Sequence, residues 1–251
     1  MKKYLGILAA SAFGALPAHA AETVGLFGFS DLEWFGNLSA TYMDSNGDIN
    51  FYGNTASAYG GTPSIAMDDG QSLSFALGFQ TTDGWRLSAE LGQVRLNSST
   101  SDVFGLNDRI DDTFRVDAEI ESLVFMLNGG YDFDIGSERF TPFFEGGIGI
   151  ARNESRQAIL DVSYDSLIWN GTSLDDQQLI GYSYPNGETT EFSWSASVGL
   201  RMALSERFDL SLSYGLMDLG DALTETDDGG DALGFDDLSS QQWQLGLGFE
   251  F

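Results

Sequence analysis

The sequence predicts an all-β protein, a transmembrane antiparallel up-and-down β-barrel of eight strands, and three observations point there. The final residues, Gln241 to Phe251 (QQWQLGLGFEF), place Trp243, Leu245, Leu247, Phe249 and Phe251 on one strand face and Gln242, Gln244, Gly246, Gly248 and Glu250 on the other. The same alternation recurs upstream in segments of about ten residues, the length of a tilted membrane strand. The connections between these segments alternate between short and long. A bilayer admits only helices or closed barrels, because every lipid-facing N–H and C=O must be bonded within the protein. No segment after residue 20 approaches the roughly 20 apolar residues of a spanning helix, so any spanning falls to strands.

Taken from the N-terminus, residues 33–43 present Trp34, Leu38, Ala40 and Tyr42 on one face, and residues 72–80 present Leu73, Phe75, Leu77 and Phe79. Residues 85–96 carry Trp85, Leu87, Ala89 and Leu91, and residues 120–133 carry Leu123, Phe125, Leu127, Tyr131 and Phe133. In 140–151, Phe140, Pro142, Phe144, Ile148 and Ile150 oppose Thr141, Glu145, Gly147 and Gly149. In 191–203, Phe192, Trp194, Ala196, Val198, Leu200 and Met202 oppose serines, Gly199 and Arg201. Residues 207–217 set Phe208, Leu210, Leu212, Tyr214 and Leu216 against Asp209, Ser211, Ser213 and Gly215. The closing segment is 241–251. Eight is an even count, as bacterial barrels require.

Residues 81–84, 134–139 and 204–206 read as tight turns, with Asp83-Gly84 a strong hairpin signal. Residues 44–70, 97–119, 152–190 and 218–240 read as long loops. This asymmetry fits short periplasmic turns and long external loops. Two irregularities stand out. Phe114, Val116, Ala118 and Ile120 are apolar at even positions before the pattern moves to odd ones, which predicts a bulge near Glu121 or the end of the bilayer segment. An extra hairpin within 152–190 would make the barrel ten-stranded.

A soluble barrel with an apolar interior shows the same alternation. The polar face argues against it: a face in water normally carries Lys, Glu and Arg, whereas this one is mostly Ser and Gly. Small residues suit the interior of a narrow barrel, which side chains fill.

Lys2 and Lys3, an apolar stretch from Tyr4 to Leu16 and the small-x-small triplet Ala18-His19-Ala20 read as a secretory signal over residues 1–20, cut after Ala20. Residues 21–251 then form the barrel domain. That mature chain holds nine arginines and no lysine against 38 acidic residues, a net of about −29 at neutral pH. It contains neither His nor Cys, which removes imidazole bases, thiol nucleophiles and the usual zinc ligands. No catalytic, cofactor or metal residue is assigned and no enzyme is expected. So acidic a chain is not expected to bind nucleic acid, because phosphate contacts need a basic surface.

Phe140 to Arg152 (FTPFFEGGIGIAR), the segment from Trp194 to Tyr214 and the Phe-terminated last strand resemble the small eight-stranded outer-membrane barrels of the OmpA transmembrane domain, OmpX and opacity-protein type. The resemblance covers nearly all of the mature chain and implies a place in the cell outer membrane, among lipid and lipopolysaccharide. It also implies that Trp243, Leu245, Leu247, Phe249 and Phe251 form the signal read by the barrel-assembly machinery.

Several motifs have plain explanations. Gly146-Gly147-Ile148-Gly149 is not followed by the helix that a phosphate loop must open. Neighbouring acids in the Asp-Asp pairs point to opposite strand faces. Asp44 to Asp48 begins like a calcium loop, but Ile49 replaces the required glycine and Thr55 the bidentate Glu. The Asn-x-Ser/Thr matches at Asn37, Asn97, Asn153 and Asn170 read as chance.

If the apolar faces meet lipid, Arg86, Glu90, Glu145, Arg201 and Asp209 point into the lumen with Asn37, Asn128, Gln242 and Gln244. Mixed signs in so narrow a space predict ion pairing that holds the strands in register or gates a small path. The four long loops carry 24 of the 38 acids and four arginines. They are the expected contact surface, with divalent cations a candidate partner either by specific binding or by screening. A structural or surface-interaction protein is expected, with a narrow channel or carrier for small solutes or hydrophobic compounds as the alternative.

Overall fold

The computed structural model describes residues 32–52, 69–105, 111–137, 139–164, 167–169, 172–174 and 178–251. The secretory signal and its cut after Ala20 lie outside the described residues, as do Thr55, Asn170 and the pair Asp175-Asp176.

Twelve strands follow one another: β1 (Leu32–Tyr52), β2 (Gly70–Thr81), β3 (Trp85–Gly105), β4 (Asp111–Asp132), β5 (Phe140–Tyr164), β6 (Leu167–Trp169), β7 (Thr172–Leu174), β8 (Gln178–Ser183), β9 (Gly187–Ala203), β10 (Phe208–Asp218), β11 (Ala222–Leu223) and β12 (Ala232–Glu250). Eight of them, β1, β2, β3, β4, β5, β9, β10 and β12, pair antiparallel in that order, and β12 returns to β1 to close the barrel. Phe35 faces Glu250 at one end of the closing seam and Tyr52 faces Ala232 at the other. Closure leaves no open edge for lipid to meet. Among the described residues there is no helix, and none therefore that is long and apolar enough to cross a membrane.

The short connections are tight, as the sequence predicts. At Asp83-Gly84 the Gly84 N–H donates to the Thr81 carbonyl at 3.0 Å, and Gly84 takes a φ of +90° that a side chain would resist. The long connections differ from the expectation: much of 44–70, 97–119, 152–190 and 218–240 is strand. β3 and β4 stay paired as far as Gly105 and Asp111, and β5 continues past β9 to pair with β8. Residues 152–190 do contain extra strands, but they lengthen this wall or form the small β6–β7 sheet. The barrel remains eight-stranded.

The outer surface carries an apolar band between two aromatic rows. At the turn end Trp34 packs on Phe79, Trp85 on Tyr131, and Tyr131 on Phe133, with centroids 6.2, 5.1 and 5.2 Å apart. At the other end Tyr42 and Tyr214 flank Trp243, with the Tyr214 and Trp243 rings 4.9 Å apart. Trp34 and Tyr42 lie eight residues apart on β1, about 27 Å along the strand. A strand tilt of about 40° reduces this to roughly 20 Å along the membrane normal, a little under the ~25 Å height of an outer-membrane apolar band. The leucines and valines between the rows, such as Leu91, Leu127, Val198 and Leu245, are about half exposed.

Above the upper row the polarity of the wall inverts without a change of register in β3. Leu91 points out while Glu90 points in; four residues on, Arg95 points out and Leu96 is buried. On β4, Phe125 points out, whereas Glu121 points out and bonds Arg95. Ala118 and Ile120 are buried on the inner side of the same alternation that carries Val124 and Met126. The switch near Glu121 is thus the end of the bilayer segment. The bulge expected there lies further out, in the register shift between Asp117 and Glu119.

Candidate functional site

The lumen and the mouth form three layers, each built from inward positions of consecutive strands. The first lies near the tight turns. Arg201 Nη1 meets both oxygens of Asp132 at 2.6 Å, its Nε lies 3.5 Å from Asp209, and Arg86 Nη1 lies 3.4 Å from Asp132. Arg86 also donates to Gln80 Oε1 at 3.1 Å, and Gln80 in turn bonds Glu33 and Glu250. Each guanidinium lies over an inward aromatic ring: Arg86 over Phe35 at 3.7 Å and Arg201 over Phe143 at 4.3 Å. Glycines on the neighbouring strands make room for these rings. A Cβ on Gly78 would come within 2.8 Å of Phe35 and one on Gly199 within 2.5 Å of Phe143. This layer crosses the lumen from β1 to β10.

The second layer is a cavity of about 40 Å3 between the first layer and the mouth. Glu90 and Glu145 face it together with serines, threonine and Gln242 and Gln244. Asn128 Nδ2 donates to Glu90 at 2.7 Å. The volume accommodates a few waters.

The third layer is apolar and closes the mouth. Met43, Val94, Leu96, Ile120, Val124, Met126 and Ala151 project from the wall, and Leu219, Ala222, Leu233, Phe235 and Leu238 pack onto them. The last five belong to a hairpin, Leu219 to Leu238, held by Leu219 N–H to Leu238 O at 2.8 Å and Thr224 N–H to Leu233 O at 2.9 Å. Asn153, fully buried, pins it to the wall by donating to the carbonyls of Leu219 at 2.8 Å and Asp221 at 2.9 Å. Ser193 Oγ donates to Asp218 O at 2.5 Å. Gly220 turns the chain inward at φ +71°, where a Cβ would also lie 2.5 Å from Glu191.

This layer corrects the reading of 218–240 as solvated acidic loop. Its carboxylates do turn work: Asp227 Oδ1 accepts from Gly229 and Asp231 N–H, Asp221 Oδ1 from Asp237 N–H, and Asp218 Oδ1 from Gly220 N–H. Among the described residues no three acids gather as a metal cluster. Asp44 to Asp48 is part of β1 and not a calcium loop, and the matching Asn153 faces the core. Outside the mouth, Arg95, Glu121, Arg156 and Glu154 form a chain of ion pairs at 2.6 to 2.9 Å. The hydrogen bond from Arg156 holds the Glu154 carboxyl below its usual range. Asn50 and Tyr52 on β1 both donate to Asp236 on β12, and burial, followed by the charge of Asp236, pushes the Tyr52 phenol up.

Of the five lumen residues expected from the sequence, Arg201 and Asp209 meet. Arg86 pairs with Asp132 instead, Glu90 takes Asn128, and Glu145 faces the cavity. Asp132, Gln80, Phe35 and Phe143 escaped sequence reasoning. Asp132 shares the parity of Asn128 but stands at the strand end, where alternation fades. Phe35 and Phe143 adjoin outward aromatics and look like part of the same girdle.

The sequence pattern of the outer membrane protein beta-barrel domain matches residues 6–251. The chain belongs to this family. Barrels of the family sit in the outer membrane, so the tight turns face the periplasm and the apolar mouth faces outward. OprG from Pseudomonas aeruginosa shares the fold at a TM-score of 0.52 and 15% identity, over 89% of this chain and 97% of that one. Neisserial surface protein A is similar at 0.48 and 14% identity, over 88% of this chain and 100% of that one. No curated protein matches the chain.

Proposed function

We propose that this outer-membrane barrel is closed to solutes and works through its extracellular sheet, as a structural or surface-interaction protein. The apolar mouth carries the reading. A path for water-soluble molecules would have to pass Phe235, Leu233 and Leu238, all buried, and then the Arg86–Asp132–Arg201–Asp209 layer. Neither offers a hydrated passage. The long strand extensions instead raise an acidic wall above the bilayer. Its net charge favours a cationic partner, or lipopolysaccharide phosphates bridged by divalent cations. Refolded protein in a planar bilayer is expected to show no steady conductance; a stable open level would replace this reading with that of a channel.

The same account makes the C-terminal strand the assembly signal. Trp243, Leu245 and Leu247 form a half-exposed lipid-facing row. Phe249 packs on Phe251 at 5.3 Å, and the Phe251 N–H donates to Trp34 O across the closing seam at 3.0 Å. Replacing Phe249 and Phe251 by Ser is expected to leave export to the periplasm intact and to reduce outer-membrane insertion severalfold. Cell fractionation measures this, and unchanged outer-membrane levels would refute it.

A further inference from the structure

The lumen layers do not balance in charge. Arg86 and Arg201 are taken by Asp132 and Asp209, which leaves Glu90 and Glu145 facing one cavity with no guanidinium of their own. Glu90 has a single neutral donor, the Asn128 amide. The rest of the lining is oxygen-rich. Thr41 and Ser74 open onto the cavity from β1 and β2, and Gln244 from β12. Thr41 and Ser74 are 94% and 93% buried, as their exposures of 6% and 7% show, and neither hydroxyl has a hydrogen-bond partner among the described residues. Val94, Val124 and Met126 roof the space with apolar surface, which withholds bulk water from the two carboxylates.

We propose that this cavity binds one divalent hard cation of the calcium class between Glu90 and Glu145. Two carboxylates supply its charge, and the Thr41 and Ser74 hydroxyls supply neutral oxygen ligands of the kind such an ion takes, joined by the Gln244 amide oxygen through the lone pair not engaged by Ser213 Oγ at 3.2 Å. A volume of about 40 Å3 leaves room for the ion and coordinated water. The cation would neutralise the excess negative charge of the lumen and tie β1, β2, β3, β5 and β12 together through ligands on each. The site is built by the barrel wall and does not depend on closure of the mouth. Conductance therefore tests the closed-barrel reading and stoichiometry tests this one.

The test is calcium binding by the full mature chain, refolded in detergent at fixed ionic strength and followed by equilibrium dialysis with radioactive Ca2+. The E90Q/E145Q variant is compared with the parent, both checked for folding by heat-modifiable migration. The acidic extracellular residues are identical in the two, so their contribution cancels. The parent is expected to bind one more Ca2+ per chain than the double variant, and only the parent to gain thermal stability from Ca2+ beyond that from matched NaCl. E145Q alone, which leaves Glu90 with Asn128, is expected to weaken the difference site about tenfold or more through loss of one ligand charge. Equal stoichiometry in parent and double variant overturns the proposal. So does parental affinity in E145Q, which would place the ion away from Glu145.

Discussion

Replacing Asp132 by Ala is expected to be the most damaging single change in the lumen. Its carboxylate is the acceptor shared by Arg86 and Arg201; Arg86 is buried, and the Asp132 and Arg201 side chains are only 16% and 13% exposed. Removing it leaves two like-charged guanidiniums in a space that water enters poorly, with Asp209 and, at longer range, Glu145 to answer them. Breaking a buried pair in this way costs about 3–5 kcal/mol, well above the worth of a surface pair. Urea unfolding of the refolded barrel in detergent measures it. Asp209→Ala, which removes one 3.5 Å contact, should cost less. Equal midpoints for parent and Asp132→Ala would mean that the layer is hydrated and contributes little.

The second large effect is expected at Phe235, fully buried at the centre of the mouth. Truncation to Ala deletes a ring from a close-packed apolar layer, at about 3–5 kcal/mol for a buried Phe. The loss should be local. The hairpin from Leu219 to Leu238 rests on this packing and on the Asn153 pins, whereas the membrane wall below is held by its own pairing. Hydrogen exchange is expected to speed up at the Leu219, Thr224, Leu233 and Leu238 amides while amides of β2 and β10 keep their protection. Unchanged exchange in the hairpin would show that Asn153 and the β11–β12 pairing hold it without the aromatic anchor.

The two predictions divide according to what alternation can reveal. Between the aromatic rows lipid imposes a period of two, so Leu91, Phe125 and Leu245 declare one face and Glu90, Asn128 and Gln244 the other. Strand order, the tight turns and the inward residues follow from that pattern. Beyond Arg95 and Glu121 the solvent changes from lipid to water, and the preferred faces exchange. Leu96 and Ile120 still point inward, but their apolar character reads as lipid-facing if the bilayer is assumed to continue. Leu219, Leu233, Phe235 and Leu238 instead fall among the acids of 218–240, which reads as a loop. Their spacing is irregular because they lie on a hairpin folded across the mouth, and no single strand period records it.

The sequence by itself determined the class of fold, the membrane-facing side of each strand and the absence of His and Cys chemistry in the chain after residue 20. Each is a local property, expressed in the order of residues along one strand. The tertiary structure alone decided which inward groups meet: Asp132 with both arginines, Glu90 with Asn128, Glu145 with the cavity, and the Leu219–Leu238 hairpin with the wall. Those contacts join strands far apart in the chain. They depend on barrel closure and register, because a side chain's partner across a lumen is set by how the sheet curls, which adjacent residues do not encode.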